Sequence, residues 1–367
     1  MHICHLTSVH FRYDSRIFHK QCVSIVNSKN IATLILADGK GNDVVEGVNI
    51  VDVGLLQGRI NRIFRSTELI YREALNLNAD IYQIHDPELL YVALKLKKNK
   101  KRVIFDSHED SKKTMLFKPY LRPPFSIIIT KAYVNFERFV CKRLDGVIGA
   151  TPFIESIFKN ISKNVININN YPILNKLQSN MSWDEKKAEV CYVGSISTLR
   201  GLKEVVKSLE LIKSEVRLNL VGDFAYNKIE TGLKELYGYK KVNHYGYVDS
   251  KEVQRVYFRS IAGIVTLHPI PTYLESLPIK MFEYMAAGIP FIISDFPYWR
   301  DILKGCECCI FVNPLDPEEI AKAIDYFANN VDEAKKMGER GKDLVFKKYY
   351  WDKEACKLLN FYYSILA

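Results

Sequence analysis

Short apolar runs alternate along the first half of the chain with longer stretches in which apolar residues recur every three or four positions. The short runs predict strands and the longer stretches predict helices, a pattern typical of β-α units around a parallel sheet. The predicted strands are 2–6, 31–37, 48–53, 80–84, 102–106, 145–149 and 164–168. The predicted helices are 15–28, 60–77, 87–98, 126–143 and 151–159, the last capped by Thr151.

A second series of the same kind begins after a polar segment. Residues 171–188 lose the apolar period and contain a proline, so we interpret them as an interdomain linker. The strands predicted after it are 190–193, 216–221, 242–245, 262–267, 291–294 and 309–312. The helices are 201–213, 228–237, 250–259, 278–287, 298–303, 317–329 and 331–347, followed by an aromatic amphipathic helix at 349–366.

The patterning therefore predicts an α/β protein with two doubly wound parallel-sheet domains. The first covers 1–170, with the terminal stretch 349–367 packing back on it, and the second covers 189–348. Two such domains facing across a cleft place the carboxyl ends of both sets of strands around it, where ligands of this architecture bind.

Composition narrows the class of protein. The 367 residues are 48% hydrophobic and 26% charged, which is ordinary globular usage and excludes a disordered chain. The net charge of +10 favours a polyanionic partner, whether nucleic acid, an anionic membrane or a phosphorylated ligand. The eight cysteines are scattered, and neither a signal peptide nor a membrane span is indicated, so we expect a cytoplasmic protein. Cys306, Cys308 and Cys309 form a cluster, but no second pair at zinc-ligand spacing accompanies them.

The most informative loop runs L-E-S-L-P-I-K-M-F-E over 274–283. Glu275 is expected in a loop before a helix capped by Ser276, with Glu283 about a turn and a half inside that helix. A helix N-terminus binds phosphate, and carboxylates accept hydrogen bonds from sugar hydroxyls. A sugar joined to a diphosphate would satisfy both features. The alternative is that Glu283 pairs with Lys280 on the surface and that Glu275 is a solvated loop residue.

A second candidate is V-C-Y-V-G-S-I-S-T-L-R-G at 190–201. Gly194 ends a buried strand and allows close approach to its backbone. Arg200 stands at the start of a helix, as an anionic ligand would require. The alternative is an ordinary β-α connection with an exposed arginine.

Taken together these motifs resemble the retaining glycosyltransferases of family 4, which have the GT-B fold. The resemblance lies in the E-x7-E of Glu275 and Glu283, the A-A-G-I-P-F-I-I-S after it, Y-V-G-S-I-S-T-L-R-G, and G-Y-V at 246–248. S-V-H-F-R-Y-D-S-R-I-F-H-K near the N-terminus and I-H-D-P-E-L-L at 84–90 are similar to members that elongate bacterial surface polysaccharides. The resemblance implies transfer of a hexose from a nucleotide sugar, UDP first and GDP next, to a lipid-linked glycan in lipopolysaccharide O-antigen, capsule or exopolysaccharide synthesis.

The resemblance also implies roles for individual residues. Glu283 would hold the donor ribose and Glu275 would lie beside the transferred sugar. Ser195 stands where the family usually has a diphosphate-binding arginine, so Lys280 or Arg16 would supply the second cation beside Arg200. The implied donor-binding set is Glu283, Gly194, Ser195, Lys280, Leu277, Ile279 and Val248, and the implied catalytic set is Glu275, Arg200 and His108.

On the acceptor side the implied residues are Asp14, Arg16 and His85. Asp14 would orient the acceptor, and the alternative is that it caps helix 15–28. The resemblance implies front-face attack in which the departing phosphate takes the acceptor's proton, with no protein base, no metal and no cofactor. The expected partners are a nucleotide sugar, a lipid-linked acceptor and an anionic membrane surface, but not nucleic acid.

The membrane contact is expected at 111–143, which places the protein at the inner face of the cytoplasmic membrane. Basic residues such as Lys118 and Arg122 alternate there with Phe117, Tyr120 and Phe125. The alternative is that the apolar positions of 126–143 are the buried stripe of a core helix. Two other functions remain open: another two-sheet enzyme, such as a sugar-nucleotide epimerase or a phosphorylase, and a non-catalytic membrane or nucleic-acid binder using the basic run at 95–102.

Overall fold

The computed structural model describes residues 1–116, 124–177 and 181–367. The chain folds into two compact units. The first contains Met1–Asn170 together with Trp351–Ala367, and the second contains Tyr171–Tyr350.

The first unit is built on a sheet that has eight strands in the described part of the chain. They are β1 (His2–Leu6), β2 (Ile31–Leu36), β3 (Asp43–Val45), β4 (Val48–Asp52), β5 (Ile81–Ile84), β6 (Arg102–Ser107), β7 (Gly146–Gly149) and β8 (Val165–Asn167). The spatial order is β3-β4-β2-β1-β5-β6-β7-β8. Only β3 pairs antiparallel among these strands. Because β1, β5 and β6 are adjacent and parallel, their carboxyl ends are neighbours at the C-terminal end of the sheet.

Helices surround this sheet. They are α1 (Val23–Asn27), α2 (Arg59–Asn61), α3 (Thr67–Leu77), α4 (Leu90–Lys98), α5 (Ser111–Leu116), α6 (Phe125–Cys141) and α7 (Pro152–Phe158). Two π-helical segments, Ile17–Cys22 and Arg62–Ser66, precede α1 and α3, and a 3₁₀ turn, Pro87–Leu89, precedes α4. The predicted cap of α7 is confirmed, since the Thr151 hydroxyl oxygen accepts a hydrogen bond from the Ile154 N–H at 3.2 Å.

The second unit has a six-stranded parallel sheet in its described residues. Its strands are β9 (Glu189–Val193), β10 (Arg217–Val221), β11 (Val242–Gly246), β12 (Ala262–Val265), β13 (Phe291–Ser294) and β14 (Cys309–Val312). The order β11-β10-β9-β12-β13-β14 reverses direction between β9 and β12. Ligands of open α/β sheets bind at such a reversal, beyond the carboxyl ends of the strands.

The helices of the second unit pack on both faces of this sheet. They are α8 (Leu202–Leu211), α9 (Asn227–Lys234), α10 (Ser250–Arg259), α11 (Pro271–Leu274), α12 (Ile279–Ala286), α13 (Pro297–Ile302), α14 (Pro317–Asn329) and α15 (Val331–Lys348). Short 3₁₀ turns lie at Leu174–Leu177, Trp183–Glu185, Thr198–Arg200 and Tyr237–Lys241. One apolar cluster lies under α8 and α14, and another lies under α12.

The terminal helix α16 (Trp351–Leu366) belongs to the first unit. Its Tyr362 hydroxyl donates to the buried Gln83 side chain at 2.5 Å, and its Trp351 indole donates to Ser24 at 2.8 Å. The segment predicted as a linker begins within the second unit, where Tyr171 and Leu174 are buried in the core under α12.

The predicted architecture of two parallel α/β sheets is confirmed. The differences are local. Strand β3 was not predicted because it is only three residues long and begins with a charged Asp43. Helix α5 was also not predicted, since none of its residues is buried to create an apolar period. The helix predicted at 15–28 is divided into a π-helical and an α-helical part.

Candidate functional site

The loop after the central strand of the second sheet brings two cations close to a glycine. Gly194 follows β9 directly and has a φ of +131°. A β-carbon built on Gly194 would lie 2.6 Å from Nζ of Lys280 and 3.8 Å from a guanidinium nitrogen of Arg200. Both positive charges therefore approach the Gly194 backbone next to the reversal of strand order, an arrangement that suits an anion.

The surroundings of Lys280 beside Gly194 disfavour the positive charge of its ammonium group. Burial lowers the pKa of its ammonium to about 7, with the charge of Arg200 acting in the same direction and Glu283 opposing it. Nζ also lies over the Tyr192 ring, 5.0 Å from the centroid. Among the described residues, neither Lys280 nor Arg200 forms an ion pair with a carboxylate. A bound anion would therefore relieve an existing repulsion between two cations.

The loop at 275–278 is fixed through its backbone. The Trp299 indole donates to the Ser276 carbonyl at 2.8 Å, and the Ser276 hydroxyl donates to the Tyr273 carbonyl at 3.0 Å. The prediction that Ser276 caps the following helix is therefore wrong, because its hydroxyl is directed backwards along the chain. Helix α12 begins at Ile279 without a side-chain cap. Apart from the Met281 N–H, which donates to the Pro278 carbonyl at 3.1 Å, its first N–H groups are left for another acceptor.

The two glutamates of the E-x7-E differ in their surroundings. Glu283 lies within α12, is partly exposed, and accepts a hydrogen bond from the Tyr257 hydroxyl at 2.8 Å. Burial, and then the negative charge of Glu283, raise the pKa of Tyr257 far above its ordinary value, so this phenol is a proton donor. Glu275 ends α11 and is also partly exposed. No motif pointed to Tyr257, since its contact with Glu283 is made only by the fold.

The remaining predicted donor-side residues lie on the same group of loops. Ser195 is exposed, and its carbonyl accepts a hydrogen bond from the Tyr192 hydroxyl at 2.9 Å. Leu277 and Val248 pack against the apolar cluster under α12. Ile279 is the first residue of that helix and is partly exposed.

In the first unit, one fully buried carboxylate collects several donors. Asp106 accepts two hydrogen bonds from Arg16, at 2.7 and 3.1 Å, and one from Gln21 at 2.7 Å. Burial alone would raise the pKa of Asp106, but the Arg16 charge and the neighbouring histidines hold it well below its usual range. Arg16 also donates to the Ile168 carbonyl at 2.9 Å. Because its guanidinium is buried and already engaged, Arg16 is not available as the second diphosphate cation or as an acceptor ligand.

Three neighbouring histidines, His5, His85 and His108, form a row beside the Asp106 carboxylate. Nδ1 of His5 lies 2.9 Å from Nε2 of His85, and Nδ1 of His85 lies 3.3 Å from both Nε2 of His108 and a carboxylate oxygen of Asp106. Burial lowers the pKa of His85 to about 4, although Asp106 opposes the shift. His85 is thus a buried neutral group that positions its neighbours, which corrects its prediction as a ligand-contacting residue. His108 is partly exposed.

A histidine and an aspartate that were not predicted form an ion pair beside this row. Nδ1 of His10 lies 2.8 Å from an oxygen of Asp86, whose other oxygen accepts bonds from the Thr7 hydroxyl and the Ser8 N–H. Burial alone would lower the pKa of His10, but its hydrogen bond and charge interaction with Asp86 raise it above its ordinary value. The His10 and His108 rings are 5.0 Å apart. A sequence signal existed, because histidines follow the ends of β1, β5 and β6.

Asp14 caps a helix, which was the alternative to its predicted role in orienting the acceptor. Its carboxylate accepts hydrogen bonds from the N–H groups of Arg16 and Ile17, both at 2.8 Å. These contacts cap the start of the π-helical segment. The carboxylate is therefore a helix cap in this structure.

One group of side chains in the described residues has the geometry of a metal site. It contains His85, Asp106 and His108, whose ligand atoms lie within 4.8 Å of one another. Both oxygens of Asp106 already accept hydrogen bonds from the positively charged Arg16. A metal ion would have to compete with that guanidinium, so this donor set does not fit a cation.

Comparison with known proteins is consistent with this geometry. Residues 175–344 match the family model of Glycosyl transferases group 1. The uncharacterized glycosyltransferase MJ1607 of Methanocaldococcus jannaschii is 26% identical over 199 residues, which are 50% of this chain and 50% of that protein. The chain thus matches about half the length of this curated relative.

Solved structures are similar along the whole chain. Sucrose-phosphate synthase from Thermosynechococcus elongatus superposes with a TM-score of 0.77 at 16% identity, covering 99% of this chain and 98% of that one. Anabaena HepE in complex with UDP and glucose gives a TM-score of 0.77 at 12% identity, covering 99% and 100%. The fold is GT-B. The family match to the second unit and these structural neighbours together support a glycosyltransferase of this fold.

Within the described residues, none of the helices combines the length and the apolar character required to cross a bilayer.

Proposed function

We propose that the protein is a retaining glycosyltransferase that moves a hexose from a nucleotide diphosphate sugar to a glycan acceptor. The observation that carries the proposal is the approach of Arg200 and Lys280 to Gly194 at the reversal of the second sheet. Two cations that have no carboxylate partner among the described residues, beside a backbone without a side chain, suit a diphosphate. Lys280 thereby supplies the charge that Ser195 does not.

The donor is held from two sides in this proposal. Glu283 accepts hydrogen bonds from the ribose hydroxyls, with its orientation set by Tyr257. The uncapped start of α12, at Ile279, offers backbone N–H groups to the phosphate or the sugar. Glu275 lies beside the transferred sugar, and His108 is the first-unit residue proposed to touch it. UDP is the expected nucleotide and GDP the next.

The proposed chemistry is a front-face displacement. The bond between the anomeric carbon and the diphosphate oxygen breaks, and an acceptor hydroxyl oxygen forms the new bond on the same face. The departing diphosphate takes the proton of that hydroxyl, so no base from the protein is required. Arg200 and Lys280 stabilise the negative charge that develops on the phosphate, which is the largest contribution a preorganised site makes. No metal or cofactor takes part in this proposal.

The proposed acceptor is a lipid-linked glycan in bacterial surface-polysaccharide synthesis, used at the cytoplasmic face of the membrane. It rests on the resemblance of the N-terminal motifs to those of polysaccharide-elongating enzymes. The sucrose-phosphate synthase neighbour favours a second class, a sugar phosphate that is free in solution. The two classes differ in whether the product remains with the lipid fraction.

Proton NMR of the full-length protein with UDP-glucose tests the proposal. With an extract of lipid-linked glycans or with a sugar phosphate added, we expect release of UDP and a product whose anomeric coupling matches that of the donor. An epimerase would change the UDP-sugar without any acceptor. That result, or a product of inverted configuration, would contradict the proposal.

A further inference from the structure

Helix α6 (Phe125–Cys141) in the first unit exposes apolar side chains and buries polar ones near its N-terminal end, the reverse of an ordinary surface helix. Its apolar side chains near the N-terminal end are exposed: Phe125 by 69%, Ile127 by 57% and Ile128 by 62%. On the opposite face, Ser126 and Thr130 are buried. A surface helix of a globular protein normally buries its apolar stripe. The alternative that these apolar positions form a buried core stripe is therefore wrong for the N-terminal half of α6.

The polar face of α6 is anchored to the first unit. The buried carboxyl of Glu137 accepts hydrogen bonds from the Ser111 hydroxyl at 2.6 Å and the Tyr133 hydroxyl at 3.4 Å. Val140 and Cys141 at the end of the helix are buried in the apolar core. These contacts fix the rotation of the helix about its axis. The exposure of its isoleucines is thus a consequence of packing at the other end.

Exposed cations accompany the exposed apolar side chains. The side chains of Lys131, Arg138 and Lys142 form no ion pair or hydrogen bond with a described residue. The Arg143 guanidinium lies 3.5 Å from the centroid of the Phe139 ring. A depression of about 590 Å³ opens at this end of the helix, lined by Asn135, Arg138, Phe139, Lys142 and Arg143. Its lining contains cations and an aromatic ring but no carboxylate.

We propose that α6 is a docking surface for an anionic lipid bilayer, with its isoleucines and phenylalanines in the headgroup region and its cations on lipid phosphates. Ile127, Ile128 and Ile129 are all exposed. Successive helix residues are about 100° apart. The three side chains are therefore spread over an arc of the α6 surface that is too wide for one packed helix to cover. A lipid interface can cover such an arc.

Charge argues against a second copy of the chain as the occupant. A symmetric contact through α6 would bring the same surface of both copies together. Each would present Lys131, Arg138, Lys142 and Arg143, while the single acidic residue of α6, Glu137, is buried. Anionic lipid provides the opposite charge without that repulsion.

The membrane contact predicted for 111–143 also included Phe117, Lys118, Tyr120, Leu121 and Arg122. These residues lie outside the described residues and carry no part of this inference.

Sedimentation of the full-length protein with vesicles tests this inference without any need for turnover. The probes are vesicles of phosphatidylcholine alone and of phosphatidylcholine mixed with phosphatidylglycerol. We expect binding only to the anionic vesicles, with a partition coefficient that falls as salt screens the cations. The double variant Ile127→Asn and Ile128→Asn should lower that coefficient at least tenfold. Its matched control is Leu315→Asn, an apolar residue of the second unit that is 50% exposed, which should bind like the wild type.

Nucleotide binding and the thermal midpoint of each variant separate this inference from the proposed function. Both should be unchanged in the double variant, because Ile127 and Ile128 are exposed and belong to the first unit. Equal binding of the double variant and the wild type to anionic vesicles would overturn the proposal. Failure of the wild type to bind them would also overturn it, and so would a wild-type dimer that the double variant converts to monomer while neither binds vesicles.

Discussion

Lys280 extends its ammonium into the space that a side chain on Gly194 would occupy, 2.6 Å from the position of a β-carbon there. The backbone of Gly194 has a φ of +131°, which side-chain-bearing residues rarely adopt. The backbone conformation thus favours glycine at this position, and a β-carbon there would force the Lys280 side chain to move. The close approach also connects two distant motifs, the loop after β9 and the start of α12.

We therefore expect Gly194→Ala to lose donor binding while the protein remains folded. The methyl group would displace the Lys280 ammonium, and the backbone would be strained by roughly 1–3 kcal/mol. Calorimetric titration with UDP-glucose measures the effect. Gly232→Ala is the control, because that glycine lies in a helix with no atom near its missing β-carbon. Normal affinity in Gly194→Ala would show that Lys280 does not act at the Gly194 backbone.

Lys280 should make donor affinity depend on pH. Its pKa of about 7 lies below the ordinary value because of burial and the nearby Arg200. An anionic diphosphate favours the protonated amine, so binding takes up a proton and is strongest below pH 7. We expect the affinity for UDP-glucose to fall as pH rises through 7 and beyond. Free UDP is a poorer probe, because a terminal phosphate titrates near pH 6.

The matched variant for this pH dependence is Lys280→Met. It should bind UDP-glucose weakly at every pH in the range and show no slope. A wild-type affinity that is constant between pH 6 and pH 9 would mean that Lys280 is not in contact with the diphosphate.

The two glutamates should separate binding from turnover. Glu283→Gln should weaken binding of the nucleotide itself by roughly 10-fold or more, because hydrogen bonds to a charged acceptor contribute about 1.5–3 kcal/mol. Glu275→Gln should keep that affinity and lose turnover by about 10², since it would position the sugar. Nucleotide titration and initial rates measured on the same preparations test both. Wild-type affinity in Glu283→Gln, or a wild-type rate in Glu275→Gln, would show that the residue concerned is an ordinary surface group and not part of the donor site.

His10 should contribute to stability over a defined range of pH. Its raised pKa, due to the charge and hydrogen bond of Asp86, means that the folded protein holds this proton more tightly than the unfolded chain. The stabilisation is complete below the unfolded pKa of about 6.5 and disappears as pH rises through the folded pKa. We expect the difference in thermal midpoint between the wild type and His10→Gln to be largest near pH 6 and to shrink toward pH 9. A constant difference would contradict this.

The fold followed from the sequence because buried parallel strands are short, apolar and regularly spaced. The runs at 2–6 and 291–294 became β1 and β13 with unchanged bounds. Strand β3 and helix α5 have few or no buried residues and left no such pattern. Periodicity also identifies an apolar face without saying which way it points. The outward face of α6 was therefore left as one of two alternatives.

The candidate site was only partly visible in the sequence. Glu275, Glu283 and Arg200 stand in local sequence motifs, which predicted them. The pairs His10–Asp86 and Arg16–Asp106 join residues more than 70 positions apart. Only the order β1-β5-β6 brings them together. The choice between Arg16 and Lys280 as the second cation likewise depended on which of them was already paired with a carboxylate.

The most direct test of the proposed nucleotide-sugar site is calorimetric titration of the full-length protein with UDP-glucose and GDP-glucose, repeated for Arg200→Ala and Arg200→Lys. We expect the wild type to bind at least one of these donors and Arg200→Ala to lose most of that affinity. Arg200→Lys should regain part of it, because it keeps the charge without the guanidinium fork. Parallel rates should show a loss of roughly 10²–10³ in kcat for Arg200→Ala. No binding by the wild type, or equal binding by all three proteins, would contradict a nucleotide-sugar site at Arg200, Lys280 and Gly194.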